Sequence, residues 1–521
     1  MRSRSACSLV ALLAAIPAAA QPGPRLGTIS FPTSGSAAAQ EAFIRGVLFL
    51  HSFEYESAER AFLKAQSLEP GFAMAHWGEA MTYTHPVWNE QDASSGRGAL
   101  ERLGSTPEAR RAMAKTAREQ RYLEAVEALY GPGPKPRRDT LYAAVMERLV
   151  RENPGDLDAK AFYALALLGL NQGIRDTITY LRAAPYADTV FRANPDHPGG
   201  AHYLIHAYDD PVHAPLGLNA ARAYARIAPD AAHAQHMTTH IFLAMGMWDE
   251  VVSQNRIAMR LQATLPGHYS SWLVYALIQQ GRYGMAQELI AQLRRNLAGG
   301  GLHAQHGALV DMRSHYLLHS EDWRGVVFDQ QSSHDRMSLM GEITDVFTRG
   351  AIAYRRRDQT MLAEAASEVA RLVEAMRVDR GGADPATMAG RVMASELGGM
   401  ALFLGGSRDA GVRAVRQATL IEDAMPMEFG PPAIVEPSHE LLGWMLLELN
   451  PTDAEAEFRR ALVLAPGRSR SLLGLARAAI ATGDKAAAEQ ALGRLAKNWA
   501  LADPKAREDL APLRRLAARL P

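Results

Sequence analysis

The sequence feature that most constrains the fold is a repeated spacing of histidines between residues 197 and 248. Seven of the 17 histidines of the 521-residue chain lie in this stretch. His202 and His236 are 34 residues apart, and so are His206 and His240. A period of 34 residues is typical of repeats that consist of two helices joined by a turn and that stack into an elongated superhelix. The spacing therefore predicts equivalent positions in successive repeats for both pairs.

The rest of the chain also carries a helical pattern, with apolar residues at three- and four-residue spacing and Pro or Gly at regular stops. In residues 43–70, a helix is followed by a second helix that carries Phe62 and ends before Pro70. The same second-helix pattern returns near the C-terminus with Phe458 and Pro466. This is the order of a tetratricopeptide repeat (TPR). We therefore predict an all-α, TPR-like α-solenoid, a right-handed superhelix of helix pairs.

Breaks in the pattern suggest a division of the chain into five segments. These are a signal peptide (1–20), a linker (21–36), an N-terminal TPR-like array with the histidines (37–298), central helical repeats (302–424) and C-terminal TPR repeats (431–521). Within the array, residues 84–98 are predicted to form a surface loop and residues 107–130 one long helix.

The N-terminus has the three parts of a secretory signal peptide. Arg2 and Arg4 precede an apolar run over residues 6–16, and small residues follow up to Ala20, where cleavage is predicted. We therefore expect a periplasmic or secreted protein that does not insert into the membrane once the signal is removed. Cys7 is the only cysteine, so the mature chain would have to bind any metal through His, carboxylate or Met.

Composition and motifs exclude several classes of function. Lys+Arg and Asp+Glu both number 56, so there is no electrostatic case for a nucleic-acid partner. The phosphate-binding and dinucleotide-binding glycine motifs are missing from the sequence, which gives no indication of a nucleotide or flavin cofactor. His439 and Glu440 begin a metalloprotease-like HExxH, but Gly443 stands in place of the second histidine.

Five segments carry a resemblance to a known family. They read AMAHWGEAMTYTHPVW (73–88), REQRYLEAVEALY (118–130), FYALALL (162–168), HPGGAHYLIHAYDDP (197–211) and HAQHMTTHIFLAMGMWDEVVSQN (233–255). The chain resembles a family of exported bacterial TPR proteins of unsettled function. In such relatives the last segment often has Pro-Ser where this chain has Thr238 and Thr239. The resemblance implies the fold and export and leaves the activity open.

Helical spacing places the central histidines on two stripes. Spacings of three and four residues bring side chains onto one face of a helix, and the two groups with this spacing are His202, His206 and Asp209, and His233, His236 and His240. In a TPR array the first helices of successive repeats line the concave groove, so the two stripes are predicted to converge there. Imidazoles and a carboxylate suit a transition metal such as Zn or Cu.

We therefore predict an exported binding protein whose groove holds a metal at these six residues and recognises a peptide, protein or small ligand. A metal-dependent hydrolase or oxidase that uses the same cluster is the first alternative, and a metal-free interaction scaffold with His–Asp hydrogen bonds is the second. A groove that binds an anionic ligand when its histidines are protonated near pH 6 stays open as well. His268, His303 and His306 are candidates for additional ligands, and His315 and His319 are predicted to serve packing or the surface.

Overall fold

The computed structural model describes residues 23–521 except 173, 263–266, 299–302, 326, 329–336 and 509. The predicted signal peptide, with Cys7 and the cleavage position at Ala20, lies outside the described residues. Residues 23–36 precede the first helix, and Phe31 in this segment is buried against Phe43 and Tyr122, with ring centroids 5.1 and 5.0 Å away.

Helices that mostly pack against their sequence neighbours make up the chain between residues 37 and 193. They are α1 (Ala37–His51), α2 (Tyr55–Leu68), α3 (Ala73–Thr82), α4 (Ala93–Glu101), α5 (Pro107–Met113), α6 (Ala117–Leu129), α7 (Lys135–Glu152), α8 (Leu157–Leu168) and α9 (Thr177–Ala193).

Two local predictions in this part are wrong. Residues 107–130 form two helices, because Thr116 and Glu119 form a capping box that starts α6. Residues 84–98 form a two-residue antiparallel pair, β1 (Thr84–His85) with β2 (Glu90–Gln91), around a 3-10 turn, and then begin α4. Asp92 starts α4 by accepting hydrogen bonds from the main-chain N–H groups of the next turn.

The middle of the chain continues the same arrangement with α10 (Pro198–Ala207), α11 (Ala214–Ile227), α12 (Ala232–Ala244), α13 (Trp248–Leu261), α14 (Gly267–Gln279), α15 (Tyr283–Leu297), α16 (His303–Ser320), α17 (Leu339–Arg355), α18 (Gln359–Arg380), α19 (Pro385–Leu404) and α20 (Arg408–Asp423). The C-terminal helices are α21 (Ser438–Leu447), α22 (Pro451–Leu464), α23 (Ser469–Thr482), α24 (Lys485–Asn498), α25 (Pro504–Arg507) and α26 (Leu510–Ala518).

The two Phe-containing repeats share one packing arrangement. A Cβ atom on Gly46 or Gly78 would come within 2.8 Å of the Phe62 ring, and a Cβ atom on Gly443 or Gly474 would come equally close to the Phe458 ring. In each case a glycine on the helix before and one on the helix after admit the phenylalanine of the second helix. This close packing, with helix pairs throughout the described residues, confirms the prediction of an all-α, TPR-like fold.

The C-terminal helices dock against the middle of the array. A Cβ on Gly246, where φ is +68°, would lie 2.5 Å from Cα of Gly467, so the two turns touch through their backbones. Trp248 Nε1 donates to the main-chain oxygen of Gly467 (2.9 Å), and the guanidinium of Arg468 donates to the Tyr275 hydroxyl (3.1 Å). Within the described residues, no helix is long and apolar enough to cross a membrane.

Candidate metal centre

The central histidines lie where α10 packs against α12, beside the first turn of α14. Helix α10 begins at Pro198, and the side chain of His197 caps it by accepting from the Gly200 N–H (3.3 Å). His202 and His206 are one turn apart on α10. The helical spacing therefore places His202 and His206 on one face of α10. The packing of α10 against α12 determines which side chains this face contacts.

Five imidazole rings form a closed circuit across the two helices. Their centroids are separated by 4.9 Å (His202–His206), 6.2 Å (His206–His240), 5.0 Å (His240–His236), 6.4 Å (His236–His233) and 5.2 Å (His233–His202). All five histidines named from the sequence thus come together. Together with His268, they form two sets of potential ligands, which we call the His202 triad (His202, His206 and His233) and the His236 triad (His236, His240 and His268). Within each triad, one ligand atom per residue lies within 4.8 Å of the others.

Hydrogen bonds fix the ring orientation in the His236 triad. His236 Nδ1 lies 2.8 Å from Asn255 Oδ1, and His240 Nδ1 lies 2.6 Å from Asp209 Oδ2. Both oxygens are acceptors, so both rings carry a proton on Nδ1 and turn Nε2 inward. The two Nε2 atoms face each other at 3.3 Å. Two lone pairs repel at this distance unless a proton or a metal ion lies between them.

The His202 triad contains imidazole nitrogens without hydrogen-bond partners. His202 Nδ1 donates to the main-chain oxygen of His51 (2.6 Å), which leaves Nε2 as the lone-pair atom. That atom, both ring nitrogens of His206 and Nε2 of His233 are buried and have no hydrogen-bond partner among the described residues.

Asp209, predicted as a ligand, lies outside both triads, and its carboxylate accepts from the ring of His240. Its neighbour Asp210 binds Arg175 (3.3 Å) and His213 (2.9 Å). His268, expected only as an outlying ligand, takes the third position of the His236 triad.

The prediction that the histidines line an open groove is wrong. His202, His206, His236 and His240 are between 0 and 3 % exposed. Burial, together with neighbouring histidines, lowers the pKa of His202 to about 3 and holds those of His206, His233 and His236 well below the usual value. These four imidazoles are therefore neutral near pH 6, which contradicts the alternative of a groove that protonates there.

Distant segments cover the cluster from both sides. On one side lies Phe53, just after α1, with its ring 4.3 Å from His202 and 5.4 Å from His233. On the other side the 424–437 loop, between α20 and α21, places Phe429 5.2 Å from His240. A Cβ on Gly430 would lie 2.6 Å from the ring of Trp272, which itself packs on His240 at 4.3 Å.

One opening reaches the His202 triad. A pocket of about 400 Å³ is lined by residues that include Phe53, Glu54, His233 and Tyr269. His233 is only half-buried, and its main-chain N–H donates to Glu54 Oε1 (3.2 Å). Burial raises the pKa of Glu54. The pocket therefore brings open space up to His233, the outer member of this triad, whose Nε2 is itself buried.

A third histidine group was not foreseen from the sequence. His51, Asp158 and His197 are fully buried and lie within 4.8 Å of one another. Asp158 Oδ1 is 3.1 Å from His51 Nε2 and 3.4 Å from His197 Nε2, and the Tyr203 hydroxyl is 2.9 Å from His51 Nδ1. We call this group the Asp158 network. The three residues lie on or beside α1, α8 and α10, and no sequence spacing links them.

Three further histidines, His315, His319 and His439, lie outside these groups. His315 is buried, with its ring 5.0 Å from that of Tyr275, and the His319 ring lies beside it at 6.2 Å. Both serve packing, as the sequence predicts. His439 binds Glu457 (2.6 Å) and Asp423 (3.1 Å). These two carboxylates raise its pKa against the lowering effect of burial.

Comparison with known proteins identifies no family. No protein-family model matches the chain, and no curated protein matches it in sequence. Solved structures that resemble it include the P58(IPK) TPR domain (12 % identity, 93 % of this chain and 99 % of that chain, TM-score 0.19), a human IFIT1 dimer with m7Gppp-AAAA (13 %, 90 % and 91 %, 0.35) and yeast Tom70 (13 %, 92 % and 95 %, 0.26). At these identities and TM-scores, the ligands of those proteins are not transferred to this chain.

Proposed function

We propose that this chain is a metal-binding helical-repeat protein and that the His236 triad binds a zinc or copper ion. The observation that carries the proposal is the 3.3 Å separation of His236 Nε2 and His240 Nε2. Two imidazole nitrogens on one tetrahedral zinc ion lie about 3.4 Å apart, given Zn–N distances of about 2.0–2.1 Å. The two inward-facing atoms are thus already at ligand spacing.

The groups behind the two rings support a metal in preference to a proton. Histidines that bind metals usually donate the other ring N–H to a carboxylate or a carbonyl oxygen, which fixes the tautomer and makes the ligand more basic. Asp209 and Asn255 supply such acceptors. The Asn255 side chain also contacts Thr239 Oγ1 through Nδ2 (3.5 Å), which orients its oxygen toward His236. A proton alone would leave His268 without a role in the triad.

In this proposal the protein is a binding module outside the cytoplasm. The signal-like sequence of residues 1–20 supports export, and the repeat fold supports recognition of a peptide, a protein or a small ligand. The ion either stabilises the packing of α12 against α14 or bridges to the ligand.

The decisive experiment measures metal content in residues 21–521. The protein is stripped with a chelator, loaded with Zn²⁺ or Cu²⁺, desalted and analysed by elemental mass spectrometry. We expect stoichiometric metal in the wild type and its loss from the His236 triad in His240→Ala. His315→Ala is the matched control, because it removes a buried histidine outside both triads.

Two outcomes would contradict the proposal. If the loaded wild type carries no more metal than the chelated protein, the His236–His240 contact is a shared proton, and a metal-free interaction scaffold is the better reading. If His240→Ala folds, as judged by circular dichroism, and keeps the full metal content, the metal lies elsewhere.

A further inference from the structure

We infer that the His202 triad is a second metal site and that its ion has an open coordination position facing the pocket beside His233. The inference rests on the proposed function, because it requires a metal-binding protein, and it adds a different site, whose half-buried ligand His233 borders a pocket. The ligand class of the open position is a small molecule or anion with a lone-pair donor.

The first argument is the set of unpartnered donors. Four ring nitrogens of His202, His206 and His233 are buried with no hydrogen-bond partner among the described residues. A buried polar atom without a partner costs about 1–3 kcal/mol of folding free energy. Four such nitrogens close together therefore destabilise the folded chain unless a ligand binds them. Neutral imidazoles are the form that binds metals, and one ion would use three of these nitrogens at once.

The second argument is the geometry of the three rings. His202 is fixed with Nε2 free by its Nδ1 hydrogen bond to the His51 carbonyl, as a metal-ligating histidine usually is. The ligand atoms lie within 4.8 Å of one another, so ion binding requires a contraction of up to about 1.4 Å toward tetrahedral spacing. His233 lies in the first turn of α12 and is only half-buried, which makes it the ring most free to move.

The third argument is the backbone of Phe53. This residue has φ of +54°, a left-handed conformation that is unusual for a bulky side chain and costs on the order of 1 kcal/mol or more. The conformation places the ring against His202 and His233. Strain of this kind persists where the surroundings hold it in place, and here it provides an apolar cover over two of the three ligands.

The pocket supplies the open position. It measures about 400 Å³ and meets His233, while the His236 triad is not among its lining residues. Three protein nitrogens and one outer ligand complete a four-coordinate zinc ion, the arrangement of sites that exchange a bound water or substrate. Phe53 and Tyr269 give the pocket apolar walls, and Glu54 adds a carboxylate beside His233.

Each of the two proposed metal sites has a carboxylate beside it. The triads are adjacent, since the ring centroids of His206 and His240 are 6.2 Å apart, so two dications repel each other. One carboxylate is bonded next to each triad: Glu54 to the main chain of His233 and Asp209 to the ring of His240. Opposite charge close to each ion offsets the repulsion at short range.

The test counts ions with Co²⁺, whose visible absorption reports coordination. We expect about two cobalt ions per chain in the wild type, one in His206→Ala, one in His240→Ala and none in the double variant. His233→Ala provides a second variant of the His202 triad at a partly exposed position. His315→Ala again serves as the control and should bind the wild-type number.

Azide then tests the open position. In His240→Ala, which retains only the ion of the His202 triad, azide should shift the cobalt spectrum because it enters through the pocket. His206→Ala, which retains only the ion of the His236 triad with its exposed His268, gives the azide response of a site outside this pocket.

The outcomes separate the two proposals. One ion in the wild type that survives in His206→Ala and His233→Ala but is lost in His240→Ala would overturn the second site and leave the proposed function intact. Absence of metal from the wild type would overturn both. Two ions in the wild type with no azide response in His240→Ala would support a second site and overturn its open position at the pocket.

Discussion

The Asp158 network and the His236 triad contain similar residues and differ in where their ring protons point. In the Asp158 network, the Gly200 N–H donates to His197 Nδ1, so the ring proton of His197 is on Nε2, which lies 3.4 Å from Asp158 Oδ1 without forming a hydrogen bond to it. His51 directs a ring N–H at Asp158 and accepts from the Tyr203 hydroxyl. In the His236 triad the ring protons of His236 and His240 point outward and the lone pairs face each other.

The difference teaches that the number and spacing of buried histidines do not by themselves indicate a metal site. Each group offers three ligand atoms within 4.8 Å. In the Asp158 network a carboxylate lies beside both rings in place of a facing lone pair, although His197 Nε2 and Asp158 Oδ2 have no hydrogen-bond partner among the described residues. We interpret this group as a structural network. The His236 triad brings lone pairs together and needs a cation. Four predictions test this distinction.

The largest effect is expected from Asp158→Ala. The substitution leaves His51 and His197 without the carboxylate beside them, and breaking a buried ionic or hydrogen-bonded pair from one side costs about 3–5 kcal/mol. We expect a loss of this size in the free energy of unfolding in urea, with metal content unchanged. Asp158→Asn, which keeps an acceptor oxygen, should lose less. If Asp158→Ala has wild-type stability but binds less metal, the network is itself a metal-ligand site and does not differ from the His236 triad.

The next effect is stabilisation by zinc. An ion that binds only the folded chain adds about 2.7 kcal/mol at a free concentration of 100 times its Kd. We expect zinc to raise the free energy of unfolding of the wild type and to raise it less in His240→Ala. In Asp158→Ala the increment should equal that of the wild type, since the network takes no part in binding. An equal increment in His240→Ala would place the stabilising ion outside the His236 triad.

Asp209→Asn should weaken zinc binding while preserving its stoichiometry. The amide oxygen still accepts from His240 Nδ1 but lacks the charge that makes the ring a stronger ligand, and such changes typically cost 10–100-fold in affinity. Competition with a chromogenic chelator measures the change. Asp210→Asn is the matched control, because the adjacent Asp210 binds Arg175 and His213. Equal losses in both variants would argue against a special role for Asp209.

The smallest expected effect is a change in how the stability of the metal-free protein depends on pH. Burial lowers the pKa of His51 to about 4, against hydrogen bonding to Asp158, which raises it. Between pH 6.5 and 4 the unfolded chain binds a proton at His51 that the folded chain does not, so stability falls as pH falls, by about 1 kcal/mol per pH unit for this residue. His51→Gln should reduce the slope by that amount, measured as the free energy of unfolding at several pH values.

Asp158 does not contribute to the change in stability between pH 6.5 and 4. Burial raises its pKa, but the neighbouring imidazoles of His197 and His51 outweigh burial and lower it to about 2. Its stabilising contribution is therefore present above about pH 4 and is lost only as pH falls toward 2. An unchanged slope between pH 6.5 and 4 in His51→Gln would show that His51 is not buried in its neutral form.

The fold could be predicted because its determinants are local. In the segments of Phe62 and Phe458, the spacing of apolar residues and the terminal prolines are sufficient to predict the helices. Only the structure shows which glycines pack against each phenylalanine ring. The errors at residues 84–98 and 107–130 also have local causes. Asp92 caps a helix inside a segment whose polar residues suggested a loop, and Thr116 caps a new helix inside a segment whose pattern suggested one continuous helix.

The site could be predicted only as far as two neighbouring helices determine it. The repeat length brings His206 and His240 together, at 6.2 Å between ring centroids. Burial could not be foreseen, because Phe53 and Phe429 cover the cluster from positions far away in sequence. Ring orientation depends on Asn255 and on the His51 carbonyl, which no spacing rule connects to the histidines.

The 424–437 loop also has a consequence for the order of synthesis. Gly430 has φ of +97° and meets Trp272 closely, and Phe429 lies against His240, almost 190 residues earlier in the chain. During translation, α10, α12 and α14 leave the ribosome long before this loop, so a nascent or truncated chain exposes Trp272 and His240 to solvent. The enclosed environment of the cluster is thus completed only when nearly the whole polypeptide has been made, and C-terminally truncated products would lack it.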